Sequence, residues 1–157
     1  VFIRRVLVIS ACLSLPLLAA CGSSSKESEP TACSLLTPQT LASLTDLSFS
    51  EGESVDTDVN QGCLWKAEGR QGEVSVFVNG ANSEDEFSSR VEDASKTFGS
   101  ATPIDISDAK KAVEFGDFGL VVMTVNGRLI QVQQSLPTTV PRTVHQDFAT
   151  TVARNAS

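Results

Sequence analysis

The chain has 157 residues, 41% of them hydrophobic, with 12 basic and 19 acidic side chains and a net charge of −7. Setting aside residues 1–20 removes Arg4 and Arg5 and no acid, so 10 basic residues face 19 acidic ones, a net charge of −9. A surface that acidic repels nucleic acid and anionic lipid headgroups, which excludes DNA and RNA as partners and leaves no basic patch for membrane attachment.

The chain opens Val1-Phe2-Ile3-Arg4-Arg5, a short positive segment, and residues 6–20 are almost wholly apolar. That run of about 15 residues falls short of the roughly 20 that a spanning helix needs, so it reads as a secretory leader. It ends Leu18-Ala19-Ala20-Cys21-Gly22, which resembles the lipobox of bacterial lipoproteins. The resemblance implies a diacylglyceryl group on the Cys21 thiol, cleavage after Ala20, and attachment to the extracytoplasmic face of the cell membrane. Residues 22–31 are Gly, Ser, Lys, Glu, Pro and Thr, with nothing to build a core. They read as a flexible tether spanning roughly 15–20 Å. The organisation expected is a leader over 1–20, a lipidated cysteine and tether over 21–32, and a single globular domain over 33–157.

In the domain, Thr37-Pro38 predicts a helix start, with Thr as cap and Pro in the first turn, followed by Leu41 and Leu44 on its apolar side. Residues 47–55 suggest a strand. Residues 62–67 predict a strand with Cys63, Trp65 and Ala67 on one face, and residues 73–79 another, in which Val74, Val76 and Val78 alternate with Ser75, Phe77 and Asn79. Ser83 and Glu86 form a capping box at the start of a helix whose stripe is Phe87, Val91, Ala94 and Phe98. Glu86/Arg90 and Glu92/Lys96 are i,i+4 pairs on its outer side, and Gly99 is placed to end it. Short strands are expected over 103–106 and 112–115. Asn126-Gly127 signals a type I′ hairpin over 120–134, which would pair Met123 with Ile130 and Val121 with Val132 on one apolar face. The other face would carry Thr124, Gln131 and Gln133. Val140-Pro141 opens a terminal helix with Val144, Phe148 and Val152 in line. This order predicts an α+β fold, an antiparallel sheet of about five or six strands with helices packed on one face.

Cys33 and Cys63 are the pair left after Cys12 departs with the leader and Cys21 takes lipid. In an exported domain they point to a structural disulfide. The alternative, a redox or metal-binding dithiol, lacks a Cys-x-x-Cys spacing. Cys33-Ser34-Leu35-Leu36-Thr37-Pro38, with Cys63-Leu64-Trp65 further on, resembles the actinobacterial lipoproteins grouped as domain of unknown function 3558. Phe115-Gly116-Asp117-Phe118 only approximates the turn such proteins carry before their last hairpin. The resemblance implies an envelope lipoprotein with a Cys33–Cys63 bridge and no catalytic role.

Other candidate sites are weak. Trp65 reads as a core residue beside the disulfide, or alternatively as a ligand platform at the sheet edge. Asp56-x-Asp58-x-Asn60 has calcium-loop spacing, but Gln61 and Ala67 stand where such a loop needs Gly and a bidentate Glu. Glu84-Asp85-Glu86 sits in a helix first turn, where negative charge complements the dipole. His145 is the single histidine and reads as a surface or boundary residue. No serine-hydrolase elbow, zinc set, phosphate-binding loop or dinucleotide fingerprint is present. The expectation is a non-catalytic, membrane-anchored binding module without a cofactor or metal, contacting an envelope protein or another envelope component. The alternative is a carrier of a small apolar ligand or lipid.

Overall fold

A computed structural model describes residues 30–57, 60–69, 72–81, 83–136 and 142–157. In chain order the elements are α1 (Ala32–Leu35), α2 (Pro38–Thr45), β1 (Glu53–Ser54), β2 (Gln61–Lys66), β3 (Glu73–Ala81), α3 (Glu84–Phe98), β4 (Thr102–Ile104), β5 (Ala109–Glu114), β6 (Gly119–Thr124), β7 (Arg128–Ser135) and α4 (Arg142–Ala156). The strands form one antiparallel sheet in the order β1-β2-β3-β7-β6-β5-β4. The fold is α+β, as the patterning predicts. The sheet has seven strands, slightly more than expected, and its two edges, β1 and β4, are only two and three residues long. Most of residues 47–55 is irregular. Beyond β1, only Phe49 pairs there, in an isolated bridge to Ala67.

Local chemistry explains the helix starts. The Thr37 hydroxyl accepts from Thr40 N at 3.1 Å ahead of Pro38. In α3 the Ser83 hydroxyl accepts from Glu86 N at 3.3 Å, and Ser83 N donates to Glu86 Oε2 at 3.0 Å. Gly99 ends that helix at a φ of 93°. The predicted Val140-Pro141 start of α4 lies outside the described residues.

The helices divide between the two faces. On one face α1, α2 and α4 cover the main core, where Leu35, Leu41, Phe148 and Val152 pack on Trp65, Val74, Val76, Val122, Ile130 and Val132. On the other, α3 lies across the β5–β6–β7 half, with Phe87 and Ala94 in one cluster with Val113, Phe115, Val121, Met123 and Leu129. The expectation of helices on one face thus holds for three helices of the four. The reason is β6, in which every residue is buried. A strand apolar on both faces needs cover on both.

The hairpin register also differs from the prediction. Met123 pairs with Leu129, Val122 with Ile130 and Leu120 with Val132. The loop is three residues, 125–127: Gly127 has a φ of 88°, while Asn126 is not left-handed. Gly127 N donates to Thr124 O at 3.0 Å, and Arg128 N donates to the Thr124 hydroxyl at 3.0 Å. This is the longer hairpin connection that uses one left-handed glycine, not the two-residue I′ turn. The shift of one residue places Val121 and Val132 on opposite faces of the sheet, in the two separate cores. Because β6 is apolar on both sides, its pattern does not select a register.

Candidate functional site

Cys33 of α1 and Cys63 of β2 form a disulfide, with Cα atoms 5.0 Å apart and a sequence separation of 30. Trp65, on the same strand face, is 0% exposed and belongs to the main core. The chain around Gly52 closes over it. A Cβ at Gly52 would lie 2.6 Å from Cys63 Sγ and 2.7 Å from Trp65 Nε1, so only glycine fits against the pair. Trp65 therefore offers no face to a ligand, and the platform reading gives way to the core reading.

The acidic candidates have structural roles. Asp56 Oδ1 accepts from Gly62 N at 3.1 Å and so pins the loop before β2; Asp58 lies outside the described residues. Among the described residues no group of three His, Cys, Asp or Glu could hold a metal ion. Glu84 pairs with Lys110 at 3.2 Å and Lys111 at 2.9 Å. The hydrogen bond from Lys111, then that from Lys110, holds the Glu84 carboxyl below the usual carboxylate range. These bridges tie the start of α3 to β5, and Glu86 completes the cap.

His145 departs furthest from expectation. It is 3% exposed, buried on α4 beside the end of β7. Gln134 Nε2 lies 2.7 Å from His145 Nε2 and also donates to Asp117 O at 3.0 Å. With both Gln134 N–H groups used, His145 Nε2 is the acceptor and the ring is neutral, its proton on Nδ1. Burial lowers the pKa of the imidazole, and the charges of Glu114 and Asp117 only partly offset this. The placement follows from the helical period, since His145 stands three residues before Phe148, which is buried on the same face. Gln134 was legible as an inward residue because it follows Ile130 and Val132 at spacings of two; the hydrogen bond between them was not. Among the described residues no hydroxyl or thiol is bonded to this imidazole, so the pair is a buried polar clasp between β7 and α4.

A different region has the character of a binding surface. The face that α3 half covers continues across β7, β3 and β2, and no described helix lies over that part. Gly62, Phe77 and Gln131 form one cross-strand row, and Leu64, Ser75 and Gln133 the next. All but Gly62 are half-exposed. A Cβ at Gly62 would lie 2.9 Å from Phe77 Cδ1 and Cε1, so the phenyl ring lies down over this glycine. Where the bare sheet meets the flank of α3 there is a cleft of about 240 Å³, lined by Asn79, Glu86, Ser89, Arg90, Asp93 and Leu129. A shallower depression shares Asn79, Arg90 and Leu129 with it and reaches Asn60, Phe77 and Gln131. Asn60 Oδ1 is buried and has no hydrogen-bond partner.

No family model, curated protein or solved structure matches the chain.

Proposed function

We propose that the protein is an envelope lipoprotein, anchored to the cell membrane through lipid on Cys21, that acts on the extracytoplasmic side as a non-catalytic binding module. The lipobox-like Leu18-Ala19-Ala20-Cys21 and the tether-like residues 22–31 support the anchor. The Cys33 and Cys63 motifs support kinship with the actinobacterial lipoproteins of domain of unknown function 3558. Among the described residues no helix is long and apolar enough to cross a membrane, so attachment in this reading depends on the lipid.

The observation that carries the binding role is the bare half-sheet beside α3. Sheets in a folded domain are ordinarily covered or polar on each face. This one is polar but carries a phenyl ring and a cleft, which is the composition of a contact surface. Nothing favours the apolar carrier. It would need a cavity above roughly 300 Å³ between α4 and the sheet, where Phe148, Ala149, Val152 and Ala153 are buried.

In-cell cross-linking of the tagged protein, with mass spectrometry and a Cys21→Ala control, tests the proposal. The expected result is a specific envelope component captured by the anchored protein and lost or strongly reduced in the control. Equal capture by both forms, or none by either, would count against it.

A further inference from the structure

We infer that the tip of the β6–β7 hairpin is the part of the domain that meets the membrane, with the Val125 side chain seated in the lipid surface. The inference rests on the lipid-anchor reading and adds to it the end that the domain turns towards the bilayer. Among the described residues the exposed large hydrophobics are Phe118 and Val125, at 54% and 62%. They stand just beyond the two ends of β6, seven residues apart, which is roughly 24 Å along a strand. Phe118 stacks on Phe98, with ring centroids 6.2 Å apart. Val125 packs in neither core cluster. An isolated exposed valine is ordinary; the place of this one in the fold sets it apart.

The chain towards Cys21 leaves the domain at the same end. Arg128, at the foot of the hairpin loop, donates to Pro30 O at 3.4 Å. Asn126, next to Val125, donates to Ser157 O at 3.4 Å, which holds the tip against the end of α4. Pro30 lies nine residues after Cys21. As a tether-like coil that segment would span about 15–20 Å, and fully extended at most about 32 Å. The coil brings the hairpin tip to the bilayer without being stretched. To lay Phe118 there instead, the segment would have to run back along most of the strand length, close to full extension. Anchoring also holds the domain at a high local concentration beside the lipid, so a weak contact is enough to set its orientation.

The contact is apolar in character. Lys110 and Lys111 at this end are bound to Glu84, and Arg154 to Asp108. Asp85, in the first turn of α3, and Asp105, just after β4, add negative charge, so there is no basic excess to draw the tip to headgroups. The uncovered sheet face is the poorer lipid surface, because Ser75, Gln131 and Gln133 stand among its apolar residues.

The test uses the full chain as its host processes it, placed in phosphatidylcholine nanodiscs that carry a small fraction of lipid spin-labelled in the headgroup. The readout is paramagnetic broadening of nuclear resonances, with the mass of the processed chain reporting the lipid on Cys21. The Val125 methyl groups and the amides of residues 125–127 should be broadened most, and the Phe118 ring least. Val125→Ser should reduce the broadening of those amides roughly threefold. Val125 is exposed and outside both cores, so this variant keeps the fold. The effect should survive about 1 M salt, which screens charge but not apolar insertion. Broadening that is greatest at Phe118, that centres on Leu64 and Phe77, or that is even over the surface would overturn the inference and leave the anchor standing. Loss of the contact in salt, or no change in Val125→Ser, would overturn it as well. A processed chain without lipid on Cys21, or one that does not stay with the nanodiscs, would remove the anchor reading and this inference with it.

Discussion

His145 shows what burial does to a titratable residue that has no charged partner in direct contact. Its imidazole accepts from Gln134 and its folded pKa lies below the ordinary value. The unfolded chain takes up a proton below about pH 6.5, while the folded protein resists it. The contribution of this group to stability is therefore intact above that pH and declines as the pH falls towards the lowered folded value. Within that window the slope cannot exceed one proton's worth, about 1.4 kcal/mol per pH unit. His145→Gln should remove that slope. In urea titrations at about pH 7.5, 6.5 and 5.5, the wild-type midpoint should fall more steeply on acidification than that of the variant. Parallel curves would mean that the folded protein takes up the proton freely. The residue type was plain in the sequence, but its environment was not. Which side of α4 meets β7 depends on packing between segments distant in the chain.

At the scale of elements, what was legible was what is local. The capping box of α3, the Pro at the start of α2, the alternation of β3 and the inward row of Cys63 and Trp65 each depend on a few adjacent residues, and each is present. The register of the β6–β7 hairpin and the face taken by α3 depend on partners, and both differed. The candidate surface falls between these cases. The polar alternation of Gln131 and Gln133 was visible, whereas the absence of a described helix above them is a property of the sheet's tertiary surroundings. The observed register also has a steric signature. A Cβ on Gly119 would collide with the Val132 carbonyl oxygen, because β6 and β7 approach closely where Gly119 pairs with Gln133. Gly119→Ala should cost about 1–3 kcal/mol, measured by chemical denaturation. A neutral substitution would show that the two strands do not approach as described.

For the whole molecule the disulfide is the main covalent constraint. It closes a loop of 30 residues in sequence that contains α2 and β1, elements with little regular pairing of their own. In the chain-entropy model such a bridge contributes about 3–4 kcal/mol. Paired Cys33→Ala and Cys63→Ala substitutions should lower stability by that amount, read as the difference between oxidised wild type and variant in urea. Reductant should lower the wild type towards the variant and leave the variant unchanged. The N-terminal end of the domain is also held by Asn155, which donates to Leu35 O at 2.8 Å, and by Arg128, which donates to Pro30 O at 3.4 Å.

The bridge also sets how the domain would respond to mechanical tension. A pull arriving along the chain from residue 30 reaches Cys33 and passes through the sulfur atoms directly into Cys63 of β2. The intervening segment, with α2 and β1, is bypassed and stays slack. Force would then be borne by the hydrogen-bonded ladder between β2 and β3, which runs through six residue pairs from Gln61↔Val78 to Lys66↔Glu73. Reduction of the bridge would reroute the same pull through α1, α2 and the short edge strand, which would peel away one after another. An intact disulfide thus makes the N-terminal end of the described protein its mechanically stiff end.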